Sequence, residues 1–152
     1  MFGKIYIAND HGGYESKLLL VKHLENKGYC VEDMGSHGTE IVRYPYYAGK
    51  VVREVLRSPA AGGILICSTG VGMSIAANKF RGIRASLCTD GYMAKMTRRH
   101  NNSNILCLGG KITGEFEMYD IADNWLNGEY EGGRHDISLV LIQNVGDELS
   151  DN

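Results

Sequence analysis

Short apolar runs alternate along this chain with longer stretches whose apolar residues recur every three or four positions. The runs are "KIYIA" (4–8), "YCVEDM" (29–34), "GGILIC" (62–67), "RASLC" (84–88) and "NILCLG" (104–109), each of strand length. Between the first two, Tyr14, Leu18, Val21 and Leu24 mark a helix over 14–27 that Gly28 stops. A second helix begins near Pro45 in "YPYYAGKVVREVLRS", where proline suits a first turn. A third runs from about Gly72 to Phe80, a fourth over 91–100, and a fifth over 114–126 with Ile121 and Trp125 four apart. A last helix, about 134–149, repeats Ile137, Leu141 and Val145 at the same spacing.

Strand and helix in five-fold alternation predict the α/β class, with a parallel sheet covered on both faces and right-handed crossovers. No linker, repeat or low-complexity run interrupts the pattern, so one domain is expected over 1–152. The last helix follows the fifth unit and is not needed to cover it. It is therefore expected to pack on another subunit, with the tail "DELSDN" fraying.

Composition narrows the function. The chain has 152 residues, enough for a substantial core, with 43% hydrophobic and 22% charged residues, as in soluble globular proteins. A formal charge of −2 argues against a nucleic-acid binder. No apolar run approaches the roughly 20 residues that span a bilayer, and the opening "MFGKIYIANDHGG" lacks a signal-peptide pattern, so the expected location is cytoplasmic. Cys30, Cys67, Cys88 and Cys107 stand far apart without a CxxC pair, which argues against a zinc site or a disulfide framework.

In parallel sheets of this kind ligands bind beyond the carboxyl ends of the strands. After the first strand, "ANDHGG" places Asp10 and His11 where strand gives way to helix. Asp10 fits a helix cap and, equally, half of a carboxylate–imidazole pair for proton transfer or phosphate holding. After the third strand, "CSTGVG" puts Cys67 at the mouth of a glycine-rich turn whose amides face an anion; the same field favours thiolate over thiol. Cys67 also fits the plain role of ending a core strand. "TRRHNNSN" carries His100 and Asn101 at the end of a helix, on the amino edge of the fifth strand, away from strand-end chemistry unless a site is shared between subunits. "YEGGRH" offers Arg134 as a phosphate fork. Together with Ser68 and Thr69 these groups supply a base, proton-transfer groups and an anion-holding loop, with no metal constellation and no dinucleotide or P-loop fingerprint. They point to a cofactor-free proton-transfer enzyme acting on a small phosphorylated substrate.

The stretches "DHGGYESK", "YPYYA", "GGILICSTGVGMSIAANKFRGIRA", "RRHNNSNIL" and "WLNGEYEGGRH" resemble the B-type ribose-5-phosphate isomerases and the related allose-6-phosphate and galactose-6-phosphate isomerases, over about residues 3 to 145. The resemblance implies a Rossmann-like three-layer α/β/α sandwich with a five-stranded parallel sheet. It also implies a dimer, sometimes paired into tetramers, with active sites at the subunit interface. It assigns Cys67 as the base that moves a proton between C1 and C2, and His100 to ring opening with Asp10 near the ring oxygen. The amides of Ser68, Thr69, Gly70, Val71 and Gly72 then stabilise an enediolate, and Thr69 counts among the catalytic residues. Asn101 holds sugar hydroxyls, and His11, Lys111 and Arg134 lie at the phosphate or nearby oxygens.

Three positions depart from the family pattern. Arg43 replaces an aspartate before "YP", Ser68 a glycine after the cysteine, and Ser138 a second arginine on the last helix. Arg43 and Ser138 therefore bear on which sugar binds. Ribose 5-phosphate is the leading substrate, with allose 6-phosphate, galactose 6-phosphate or a four-carbon sugar phosphate as alternatives. A non-catalytic sugar-phosphate-binding partner subunit is the rival from another class.

Overall fold

The computed structural model describes residues 2–148, with side chains as far as Val145. In chain order the elements are β1 (Lys4–Asn9), a 3-10 turn (His11–Gly13), α1 (Tyr14–Asn26), β2 (Val31–Asp33), α2 (Tyr44–Arg57), β3 (Ala61–Cys67), α3 (Val71–Ala77), β4 (Ala85–Leu87), α4 (Gly91–Asn101), β5 (Ile105–Gly109), α5 (Glu115–Asn127) and α6 (Arg134–Glu148). The strands form one sheet in the order β2-β1-β3-β5-β4, every neighbouring pair parallel. The expected α/β/α sandwich is what the chain forms.

The pleat divides the core. Ile5, Ile7, Ile64, Ile66, Leu106 and Leu108 point to one face, where Leu20 and Leu24 of α1, Ala94 of α4 and Ile121 and Trp125 of α5 close over them. Ala8, Leu65, Cys67, Ile105 and Cys107 point to the other, beneath α2 and α3. β3, at the centre, is buried at every position, which is why its sequence is an unbroken apolar run. Trp125 is fully buried, stacks on Phe2 and donates its indole N–H to Ser103 Oγ at 2.7 Å.

α3, β2 and β4 are each shorter than their sequence patterns by two residues or more. α3 stops at Ala77 instead of Phe80 because Asn78 turns its amide onto β4, donating to Ala85 O at 2.8 Å and accepting from Ala85 N at 2.9 Å. β2 starts at Val31 because the Tyr29 amide still bonds Leu24 O as the chain leaves α1. Pro45 sits in the first turn of α2 as expected. None of the described side chains of α6 enters either core cluster, and Ile137, Val140, Leu141, Ile142 and Val145 are each more than half exposed. Of "DELSDN", Asp147 and Glu148 belong to α6, and the rest lies outside the described residues. Among the described residues no helix is long and apolar enough to cross a membrane.

Candidate active site

The strand order reverses between β1 and β3: β1 leads outward to β2 on one side, β3 to β4 and β5 on the other. Such a switch point leaves a crevice at the carboxyl edge, and Asp10 and Cys67 flank it. Asp10 N bonds Ile66 O at 3.1 Å, holding the two loops side by side. Asp10 is nearly buried and caps the 3-10 turn, Oδ1 accepting from Gly12 N at 2.8 Å. The capping role foreseen for it is thus filled by one oxygen, which leaves the other for a ligand. His11 accepts the Val42 amide on Nδ1 at 3.4 Å, which places its proton on Nε2 and makes that nitrogen a donor.

Cys67 ends β3 and is buried, with the Gly70 amide donating to Sγ at 3.1 Å. That donor depends on Gly70, whose φ of 77° lies in the left-handed region. A side chain there would also strike Leu87 and Leu108. Thr69 is exposed, and its Oγ1 accepts from Val71 N at 3.3 Å as α3 begins. Val71 is exposed, and Gly72 lies under Tyr44, whose ring would stand 2.9 Å from a Cβ at that position. Tyr44 is a neighbour that sequence reasoning passed over, although the "YP" pair marked it. The loop after β5 joins the group: Gly110 N bonds Cys67 O at 2.8 Å and Lys111 N bonds Ser68 O at 3.0 Å, with Lys111 itself exposed. Arg43 precedes α2 at the same edge; its carbonyl accepts from Tyr46 N at 3.3 Å, and its side chain is exposed, with no hydrogen bond or ion pair among the described residues.

Ser68 is tolerated because Gly12 is opposite it. A Cβ on Gly12 would meet Ser68 Oγ at 2.1 Å, so the hydroxyl occupies the space a side chain at 12 would need. Beneath this crevice Lys17, with no exposed surface, joins α1 to the β2 end through Asp33 Oδ1 (2.8 Å) and Ser36 O (2.6 Å). Burial pushes the Cys107 thiol well above its ordinary range, the neighbouring thiols Cys67 and Cys88 adding to it; burial, then Asp90, pushes Cys88 up to about 12. These two are inert core thiols; Cys30 is exposed.

The remaining predicted residues gather elsewhere. α4 starts at the carboxyl edge and ends at the amino edge of β5, so His100 and Asn101 lie at the opposite end of the sheet from Cys67. Arg134 and Ser138, both exposed, are on α6, whose start packs here. His100 stacks on His135 with ring centroids 4.2 Å apart, and Glu131 lies between Arg99, His100 and His135. Burial raises the Glu131 carboxyl, but the Arg99 hydrogen bond and charge, with the two imidazoles, more than reverse this and hold it below the usual carboxylate range. Glu131, His135 and Arg99 were not singled out by sequence reasoning; "RRH" and "EGGRH" contained them.

The chain thus carries two polar clusters at opposite edges of one sheet. Residues 5–142 match the model of a family described as ribose/galactose isomerase. The chain is 46% identical over 139 residues to ribose-5-phosphate isomerase B of Escherichia coli K12, covering 91% of this chain and 93% of that one. Its fold superimposes on the Clostridium thermocellum ribose-5-phosphate isomerase B with a TM-score of 0.93 at 46% identity, covering 96% and 99% of the two chains. It superimposes on the Mycoplasma genitalium ribose-5-phosphate isomerase B with bound ribulose-5-phosphate at 0.90 and 37%, covering 95% and 97%. With matches of this length and identity laid over the cysteine turn and the "EGGRH" segment alike, the chain belongs to the ribose/galactose isomerase family.

Proposed function

We propose that this protein interconverts ribose 5-phosphate and ribulose 5-phosphate through a cis-enediolate, without a metal or organic cofactor. The observation that carries the reading is Cys67 at the switch point, its sulfur met by the Gly70 amide and flanked by Asp10 and His11. In the aldose-to-ketose direction Cys67 takes the proton from C2 and returns it to C1, while a proton moves from O2 to O1. The negative charge that builds on the carbonyl oxygen needs preorganised donors, each worth roughly 3 kcal/mol, and the amides of residues 68–72 are the donors closest in sequence to the base. His100, with Asp10 near the ring oxygen, opens the furanose by general acid–base transfer. His11 Nε2–H, Lys111 and Arg134 serve the phosphate, and Asn101 the hydroxyls.

These roles require His100, Asn101 and Arg134 to meet Cys67 across two chains, because one chain holds them apart. The reading therefore includes a homodimer with shared sites, the apolar face of α6 packed on the partner, and one domain per chain working in the cytoplasm. The exposed Arg43 and Ser138 support a second reading, in which a longer aldose phosphate is preferred and Arg43 takes part of the phosphate clamp.

An assay in deuterated water with four-, five- and six-carbon aldose phosphates, using wild type and Cys67→Ala, tests the whole. Turnover of ribose 5-phosphate with solvent deuterium entering product, lost in Cys67→Ala, is the expected result. Preference for a six-carbon substrate that Arg43→Asp abolishes would replace it with the second reading. No deuterium incorporation from any substrate would leave a binding protein. Mixing inactive Cys67→Ala with inactive His100→Asn tests the shared site, since a mixed dimer regains one intact site of two.

A further inference from the structure

We propose that His100, Glu131 and His135 form a site for a divalent transition-metal ion of the zinc class, and that filling it withdraws His100 from the sugar phosphate. One ligand atom from each residue lies within 4.8 Å of the other two. Glu131 Oε2 is 3.7 Å from His100 Nε2 and 3.6 Å from His135 Nε2. Both distances are too long for hydrogen bonds, so three strong ligand atoms converge without satisfying one another. Bonds of about 2.0–2.2 Å in tetrahedral geometry hold ligand atoms roughly 3.3 Å apart, so an ion needs a contraction of only a few tenths of an ångström on each of these two edges. The rings now stack at an interplanar angle of 14°; binding turns them until both nitrogen lone pairs point at an ion beside Oε2, which also closes the third edge, between the two imidazoles, from within 4.8 Å.

The carboxylate is already oriented for this. Its other oxygen, Oε1, is held by the Arg99 guanidinium, and Glu131 N bonds Arg99 O at 3.0 Å. A ligating carboxylate anchored through its outer oxygen is a recurrent support of metal sites. Two imidazoles and one carboxylate are also the donor set of open zinc sites that keep a position for a further ligand. Sequence spacing hid the cluster, because His100 lies in the last turn of α4 whereas Glu131 and His135 flank the glycine turn that leads into α6.

The site stands on this chain's geometry; its effect on turnover rests on the isomerase reading above. The test uses untagged protein and Co(II) as probe, in a Cys67→Ala background so that the active-site thiol cannot supply the signal. The expected result is a visible ligand-field band saturating at one Co(II) per chain and displaced by Zn(II). His135→Gln and Glu131→Gln should each weaken it by at least about tenfold, since even outer-shell partners are worth about 10- to 100-fold. With Cys67 intact, Zn(II) should inhibit ribose 5-phosphate turnover at the same midpoint, reversibly with chelator, and His135→Gln should raise that midpoint. Absence of the band, or a band unmoved by both substitutions, overturns the site. Metal binding without inhibition in an active enzyme overturns the coupling to His100, and an enzyme inactive on every sugar phosphate overturns the isomerase reading while the Co(II) result stands.

Discussion

Gly12→Ala should damage the protein through a single contact with Ser68. The new Cβ would lie 2.1 Å from Ser68 Oγ, 3.0 Å from Ser68 N and 3.1 Å from Ser68 Cβ. The hydroxyl is one rotatable atom and swings away cheaply, whereas the amide and Cβ belong to the loop that aims Gly70 at Cys67. Over-packing of this kind costs about 1–3 kcal/mol. Ser68→Gly on its own removes both side-chain atoms and costs about 0.5–1 kcal/mol in backbone freedom. In the double variant only the contact with Ser68 N persists, so the two changes should cost at least about 1 kcal/mol less together than their sum, within the range seen for touching residues. Urea unfolding of the wild type, both singles and the double closes the cycle. The same four proteins assayed for kcat/KM show whether the loop also regains its catalytic setting. Strict additivity in stability would refute the reasoning, since it would mean that the loops part freely and Ser68 is not what Gly12 accommodates.

The Lys17–Asp33 pair should respond asymmetrically. Asp33→Ala leaves a fully buried ammonium with one carbonyl, costing about 3–5 kcal/mol, whereas Lys17→Met leaves a partly exposed carboxylate and costs about 1–3 kcal/mol; equal losses in urea midpoints would contradict this. Alkaline conditions should destabilise the fold through its core thiols. Cys88 keeps its proton to about 12 when folded, while an unfolded thiol loses it near about 8.5. The folded state therefore binds more protons across that window, and stability falls as pH rises through it. Unfolding midpoints at pH 8 and 10 should fall less in Cys88→Ala than in wild type, and an identical fall would remove Cys88 as a cause. Trp125→Phe strands the Ser103 hydroxyl in the core and should cost about 2 kcal/mol, within the 1–3 range for an unpaired buried group; an unchanged melting midpoint would count against it.

Much of the fold was readable because burial is written in the strands. The unbroken runs that hold Ile64 to Cys67 and Ile105 to Leu108 are central strands. Arg84 and Ser86 in "RASLC", and Glu32 and Asp33 in "VED", break up the two strands that prove to be edges, although strand order itself was not predicted. Helix ends set by a side chain reaching another element were missed, as with Asn78 on Ala85. At the site, Cys67 and the turn that follows are contiguous and declare themselves. Glu131 and His135 meet Arg99 and His100 only when α6 and the turn before it are brought against α4, a long-range contact that no spacing rule encodes. Gly12 against Ser68 is of the same kind.

Both edges of the sheet are three-residue strands, β2 and β4, and β2 carries two acidic residues of its three. A short edge, acidic in β2, offers another chain little backbone to pair with. Growth by strand addition, the common route from a parallel sheet to fibrils, is closed at both ends of this one. A mutation that lengthened either edge would supply the free backbone for open-ended pairing that these short strands withhold.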